Sequence, residues 1–188
     1  SMRKHKGDEG PAMTTNLDVL PLTAVVGDPA VSGVEIYDNT SALHMTVVER
    51  HHVAGLDPAW DRPGAYVLLE RPDTATGIWG AYTGKAPAGV TQRMKDHVRK
   101  KKDWYRALLI RRDTTHGFNS AEAAWLEGRL YDLLNAAEFV VLRNENRPID
   151  ETLSVFTRNA LEGAILPISR TLVLVGHDPS PANTDEPQ

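Results

Sequence analysis

Two neighbouring stretches decide the fold: Gly64-Ala65-Tyr66-Val67-Leu68-Leu69-Glu70 and Ile78-Trp79-Gly80-Ala81-Tyr82-Thr83-Gly84. The first is almost wholly apolar, as expected of a strand that is buried on both faces. The second follows a loop containing Pro72, Asp73 and Gly77, which are residues that favour turns. The pair therefore predicts an antiparallel β-hairpin with a long loop.

Further strands are predicted on both sides of this hairpin. Residues 33–37 and 43–48 are short β-like runs joined by the turn-prone residues 38–41, which indicates an N-terminal hairpin. Residues 105–110 form an apolar run suited to a central strand, and residues 171–175 predict a final strand.

Helices are predicted over residues 88–100 and 150–164. In the first, apolar residues at every fourth position form an inward stripe. Arg93 and His97 lie one helical turn apart, on a face that borders this stripe. The two side chains should therefore point in a similar direction.

A further predicted helix carries a carboxylate without a helical partner. The helix opens at Asn119, where Glu122 completes a capping-box pattern, and it ends near Ala137. Glu127 has uncharged side chains one turn before and one turn after it, so no salt bridge along the helix compensates its charge. Burying an unpaired carboxylate is costly, which indicates a functional role for Glu127.

The charge of the chain is unevenly distributed. The 188 residues carry a formal net charge of −4, but residues 93–112 hold nine basic and two acidic side chains, about +7, which leaves about −11 elsewhere. Trp104 and Tyr105 interrupt the basic run, and basic side chains interleaved with aromatic ones suit phosphates and bases. The other interpretation, a solvated helix end and loop, stays open.

Composition and failed motifs exclude several kinds of site. The chain has no cysteine, which excludes disulfides, thiolate nucleophiles and cysteine-ligated metals, and a cytoplasmic location fits this composition. No apolar run approaches the roughly 20 residues needed to cross a bilayer, so no membrane partner is expected. A P-loop is excluded because Trp79 stands where glycine is required. His51 and His52 are expected to point to opposite faces of a strand, which argues against a metal-binding pair. A serine hydrolase is not supported, because no GxSxG motif is present.

The order of the remaining polar residues resembles the motifs of the GIY-YIG nuclease family. Gly64-Ala65-Tyr66 and Tyr82-Thr83-Gly84 are similar to its two tripeptides, with the middle apolar residue changed in each. Arg93 lies eleven residues after the second motif's tyrosine, Trp125-Leu126-Glu127 resembles the aromatic-Leu-Glu signature of the metal helix, and residues 142–148 resemble its Asn-containing turn. The interval of sixteen residues between the two tyrosines is a few residues longer than usual in the family.

The resemblance covers roughly residues 23–176 and implies a fold class. It implies an α+β fold with a small antiparallel three-stranded central sheet flanked by helices, and an N-terminal β-hairpin extension. The expected segments are a disordered N-terminus or tag remnant (1–22), the β extension (23–62), the nuclease core (63–149), a C-terminal helix and strand packed on the core (150–176) and a disordered tail (177–188).

The resemblance also implies a metal-dependent endonuclease that hydrolyses phosphodiester bonds of DNA. The expected catalytic residues are Tyr66, Tyr82, Arg93, His97, Glu127 and Asn144. Glu127 would hold a single Mg²⁺ or Mn²⁺ ion, Tyr66 would act as the general base or orient the water, and Tyr82 would help to order the water or the phosphate. Arg93 would clamp the phosphate, and His97 is an alternative base or a phosphate ligand. Asn144 would position the substrate or support the site.

Several alternatives stay open at this point. Asn144 is preferred over Asn146 for the family's Asn position, and the DNA can be single- or double-stranded, with RNA also possible. The competing functions are a catalytically weak or inactive nucleic-acid-binding module with the same fold and a protein-interaction role for the N-terminal β region. The residues expected to contact nucleic acid are Lys85, Lys95, Arg99, Lys100, Lys101, Lys102, Trp104 and Arg106.

Overall fold

Seven strands form one mixed sheet in a computed structural model that describes residues 20–28, 33–149 and 152–182. The strands are β1 (Thr23–Val26), β2 (Val34–Asp38), β3 (Leu43–Glu49), β4 (Gly64–Glu70), β5 (Trp79–Ala86), β6 (Trp104–Arg112) and β7 (Val140–Leu142). Their order across the sheet is β1-β2-β3-β6-β4-β5-β7. Every neighbouring pair is antiparallel except β5 and β7, which are parallel.

Helices cover both faces of the sheet. They are α1 (Val90–Lys100), α2 (Ser120–Asn135), α3 (Val155–Glu162) and α4 (Ile165–Leu174). One core lies between the sheet and α1 together with two short 3₁₀ segments, Arg50–Gly55 and Pro58–Trp60. The other core lies between the sheet and the remaining three helices. No helix of the described part of the chain has the length and apolarity to span a membrane.

The central strand β4 contributes to both cores. Ala65, Val67 and Leu69 pack into the core beneath α2, whereas Tyr66 and Leu68 pack into the core beneath α1. This alternation follows from the two-residue period of a strand, and it explains why nearly the whole strand is apolar. The predicted hairpin of β4 and β5 is confirmed, with Tyr66 opposite Gly84.

The expected small three-stranded central sheet, with a separate β-hairpin extension, is wrong. Strands β4, β5 and β6 lie side by side, but β6 also pairs along its other edge with β3, from Glu49 opposite Arg106 to Leu43 opposite Arg112. The N-terminal hairpin of β2 and β3 therefore continues the same sheet. The physical reason is that β6 is nine residues long and buried from Ala107 to Ile110, so both of its edges need hydrogen-bonding partners.

The expected final strand at residues 171–175 is also wrong, because this segment ends helix α4. Ile168 and Leu172 of α4 are both buried and lie four residues apart. This spacing places one helical face on the core beneath α2. The β-branched residues at the end of the segment favour a strand, but the tertiary packing of the helical stripe decides the outcome.

The predicted disordered ends fall largely outside the described residues. Residues 177–182, the first half of the expected tail, are described, and they pack against the rest of the protein. The N–H of Glu138 donates to the Ser180 carbonyl, and the N–H of Ala182 donates to the Ala136 carbonyl. The His177 side chain is buried against Trp79.

The predicted capping box of α2 is confirmed and supplies a test of how this helix is held. The Asn119 side chain accepts from the Glu122 N–H, and the Glu122 side chain accepts from the Asn119 N–H. We expect Asn119→Ala to lower the free energy of unfolding by about 1 kcal/mol, measured by urea denaturation. Asn159→Ala, at an exposed position of α3, is the control and should change it by less than about 0.5 kcal/mol. Equal effects of the two substitutions would contradict this role of the cap.

Candidate active site

The two motif tyrosines lie on neighbouring strands and on the same face of the sheet. Tyr66 pairs with Gly84, and Tyr82 pairs with Leu68. Because these positions are two residues apart on each strand, both rings project toward α1. Tyr66 is buried and Tyr82 is half-buried, so only the second ring reaches the surface.

The glycines of both motifs are required by close packing. A Cβ atom added at Gly84 would lie 2.2 Å from the hydroxyl oxygen of Tyr66. A Cβ atom added at Gly64 would lie 2.4 Å from the carbonyl oxygen of Ile110 in β6. The first contact matters for the site, because a side chain at residue 84 would displace the Tyr66 phenol.

Helix α1 brings His97 against both tyrosines. The Nε2 atom of His97 lies 2.7 Å from the Tyr66 hydroxyl oxygen, which is hydrogen-bonding distance. The imidazole also packs edge-on against each ring, with centroid separations of 5.2 Å to Tyr66 and 5.6 Å to Tyr82. His97 is therefore buried between the two motif residues.

The local environment keeps both members of the hydrogen bond uncharged at neutral pH. Burial, followed by the effect of Tyr82, raises the pKa of Tyr66 above its usual range. Burial, followed by the positive charges of Lys101 and Arg93, lowers the pKa of His97 to about 4. With the imidazole proton on Nδ1, Nε2 accepts a hydrogen bond from the neutral phenol.

Glu127 belongs to α2, which packs on the opposite face of the sheet from α1, and its carboxylate is within electrostatic range of both tyrosines. Burial raises the pKa of its carboxyl group, whereas the positive charges of Lys85 and Arg93 act to lower it. The Glu127 charge in turn raises the pKa of Tyr66 and of Tyr82. No described residue forms a hydrogen bond or an ion pair with this half-buried carboxylate.

Arg93 differs from the other arginines of the basic segment. Arg99 is paired with Asp96, Arg106 with Glu49, Arg111 with Asp113 and Arg112 with Glu122. Arg93 is exposed on α1 and forms no ion pair with a described residue. Its guanidinium group is therefore free to receive an anion.

Asn144 binds the backbone of the second motif. Its side-chain oxygen accepts from the Thr83 N–H at 3.0 Å, and its side-chain N–H donates to the Thr83 carbonyl at 2.8 Å. These two bonds continue the pairing of β7 with β5 beyond the end of β7, since the Arg143 N–H already donates to Ala81. The Asn146 side chain is exposed. Of the two candidates, Asn144 is thus the one that holds the strand carrying Tyr82.

Arg143 supports the same turn, a role that its sequence context does not predict. Its guanidinium group donates to both carboxylate oxygens of Glu70, at 2.9 and 3.0 Å. This double hydrogen bond ties the turn that carries Asn144 to the end of β4. The adjacency of Arg143 to Asn144 was the available signal, but its partner is distant in the sequence.

Three of the residues expected to contact nucleic acid have other roles in the structure. Trp104 is 3% exposed, and its ring N–H donates to the His97 carbonyl, so the ring is a core residue and is not available to stack on a base. Arg99 and Arg106 are paired with acidic side chains. The lysines at positions 85, 95, 100, 101 and 102 form no ion pair with a described residue.

The donor set has one carboxylate to offer a metal ion. No group of three or more His, Asp or Glu side chains in the described ranges could hold a metal ion. A hard cation such as Mg²⁺ can be bound by one carboxylate when water and phosphate oxygens complete its coordination. The unpaired carboxylate of Glu127 fits this arrangement, because a cation there would relieve the cost of burying its charge.

No family model, curated protein or solved structure matches this chain. Function must therefore be inferred from the chemistry of the site residues. These residues are a neutral Tyr66–His97 pair, the carboxylate of Glu127 and the cations Arg93 and Lys85, and the last three form no ion pair with a described residue.

The contact between Tyr66 and Gly84 predicts that residue 84 tolerates no side chain. We expect Gly84→Ala to lower the melting temperature, with a loss of about 1–3 kcal/mol in stability, because the Tyr66 ring must move. Gly55→Ala is the control, since a Cβ atom there would meet nothing within 4 Å. Differential scanning calorimetry of both variants tests this. A Gly84→Ala protein as stable as the Gly55→Ala protein would contradict the packing.

The lowered pKa of His97 predicts a pH-dependent stability. Below pH 6.5 the unfolded chain binds a proton at His97 that the folded protein does not bind until about pH 4. The free energy of unfolding therefore decreases as the pH is lowered from about 6.5 to about 4. We expect His97→Gln to remove up to about 3 kcal/mol of this pH-dependent loss. Urea unfolding of both proteins between pH 7.5 and 4.5 provides the measurement. Parallel pH profiles would contradict the prediction.

Proposed function

We propose that the protein is a metal-dependent endonuclease of the GIY-YIG type that hydrolyses phosphodiester bonds of DNA. The observation that carries the proposal is the hydrogen-bonded Tyr66–His97 pair within electrostatic range of the Glu127 carboxylate, which forms no hydrogen bond or ion pair with a described residue. The resemblance of both tripeptide motifs to that family, in the same order along the chain, supports it.

Arg93 and Lys85 would bind the scissile phosphate. Both are within electrostatic range of Glu127, and neither forms an ion pair with a described residue. A planar guanidinium group can donate two parallel hydrogen bonds to phosphate oxygens, and this contact strengthens as negative charge develops in the transition state.

The Tyr66–His97 pair would receive the proton of the attacking water. Since the pKa of Tyr66 is raised, its phenolate is not present at neutral pH. The phenol oxygen can instead accept a hydrogen bond from water while its own proton is directed at Nε2 of His97. As the water oxygen bonds to the phosphorus, its proton would pass to the phenol oxygen and the phenol proton to Nε2. The bond between phosphorus and the leaving oxygen would break, and that oxygen would take up a proton from solvent.

DNA itself would help His97 to accept this proton. In the free protein, Lys101 and Arg93 lower the pKa of His97 in addition to the effect of burial. A bound phosphate adds negative charge next to these cations, which weakens their effect and raises the pKa of His97. The base is therefore strengthened when substrate is present.

Glu127 would hold one divalent cation, Mg²⁺ or Mn²⁺, which would supply positive charge to the phosphate and the leaving oxygen. Asn144 is a positioning residue in this scheme, because it binds the Thr83 backbone and not the reacting atoms. The single protein ligand implies that metal affinity is weak without DNA.

The proposal predicts that Glu127→Gln cleaves DNA at least about 100-fold more slowly than wild type, while DNA affinity changes little. Cleavage is measured on labelled duplex and single-stranded DNA and on RNA, with Mg²⁺ or Mn²⁺. Glu138→Gln is the matched control, because it makes the same change at an exposed position and should retain activity.

Two outcomes would count against this proposal. If wild type binds these nucleic acids but cuts none of them, the protein is a binding module with the same site. If Glu127→Gln cuts as fast as wild type, the carboxylate does not take part in the reaction.

A further inference from the structure

We propose that a cavity beside Tyr82 binds backbone phosphates of duplex DNA that flank the cleaved bond, an inference that rests on the proposed function. The cavity has a volume of about 420 Å³. It is lined by Leu68, Glu70, Tyr82, Lys100, Lys101, Lys102, Asp103, Trp104 and Arg143. Because Tyr82 belongs both to this cavity and to the candidate active site, a strand bound at the site can continue into the cavity.

The cavity has an excess of positive charge that is not neutralised locally. The side chains of Lys100, Lys101 and Lys102 form no ion pair with a described residue. Of the two acidic residues in the lining, Glu70 is occupied by Arg143. Asp103 alone opposes the three lysines. Phosphate groups are therefore the ligands that fit this charge.

The end of helix α1 would normally oppose an anion, because its last carbonyl groups carry partial negative charge. Here side-chain donors reach two of those carbonyls, those of His97 and Val98, and a third carbonyl just beyond the helix, that of Lys102. Arg50 donates to the carbonyls of Val98, at 2.7 Å, and Lys102, at 2.6 Å, and the Trp104 ring N–H donates to the His97 carbonyl. Arg50 is thus a positioning residue for the lysine turn, and it lies 48 residues away from Val98 in the sequence.

The aromatic rings near the cavity already pack against cationic side chains or lie in the core. The ammonium group of Lys101 lies 4.0 Å from the centre of the Tyr82 ring. Trp104 is buried, and Arg71 and Arg106 lie over Tyr105. Proteins that bind single strands use exposed aromatic rings as stacking platforms. The cavity instead suits contacts to the backbone of an intact duplex, without preference for sequence.

The test measures the salt dependence of DNA binding when no cleavage occurs. In a Glu127→Gln background, the affinity for a labelled 20-bp duplex is followed by fluorescence anisotropy across a range of KCl concentrations. Each lost phosphate contact reduces the slope of log affinity against log salt by about 0.9. We expect the double variant Lys100→Gln and Lys102→Gln to reduce this slope by about 2, with equal effects on duplexes of different sequence.

A matched double variant controls for net charge. Arg158→Gln and Arg170→Gln also remove two positive charges, but from exposed positions of α3 and α4 on the opposite face of the sheet. This double variant should leave the slope unchanged. An unchanged slope in the lysine variant, or an equal reduction in the control, would overturn the inference. So would a lysine effect confined to single-stranded DNA.

The outcome is separable from that of the proposed function. A wild-type protein that never cuts DNA, together with a reduced slope in the lysine variant, rejects the nuclease and keeps the phosphate site. A protein that cuts DNA but shows no change in slope rejects only the phosphate site.

Discussion

The hydrogen bond between Tyr66 and His97 is the interaction on which the site depends, because it joins the sheet to helix α1. Tyr66 can reach His97 only by crossing over Gly84, where the absence of a side chain leaves room for the phenol. The same helix then places Arg93 one turn before His97. Tyr66 of β4, Gly84 of β5 and His97 of α1 therefore pack as one unit, so that a substitution at any of the three would displace the other two.

Elements with local sequence signals could be predicted, and their arrangement could not. The capping box at Asn119 and the apolar run of β4 each report a short-range preference, and both are found in the structure. The joining of β3 to β6 depends on residues about 60 positions apart, for which the sequence carries no local signal. The helix found in place of the predicted last strand shows the same limit. It is stabilised by the packing of Ile168 and Leu172 in the core, and this packing is not visible in the local sequence.

The site residues follow a similar division. The order of the motifs groups Tyr66, Tyr82, Arg93, His97 and Glu127. In the structure His97 contacts both tyrosines, and Arg93 and Glu127 act on the tyrosines electrostatically. Trp104 could not be assigned correctly from its position in a basic run. In the structure its ring packs into the core beneath α1, where its N–H donates to the His97 carbonyl near the end of that helix. Arg50 was missed because its contacts are made to backbone atoms, which leave no trace in the sequence.

The basic segment also shows how residue type separates structural from free charge. Its four paired cations are all arginines, whose planar groups bind carboxylates at two points, and its free cations are lysines apart from Arg93. Four of the nine positive charges therefore form ion pairs with carboxylates of the protein and are not available to bind a ligand. The charge that remains is concentrated at the end of α1 and at Arg93. Among the described residues, Arg93 is the arginine of this segment that forms no ion pair with a carboxylate, and its charge acts at longer range on Glu127 and on the two tyrosines.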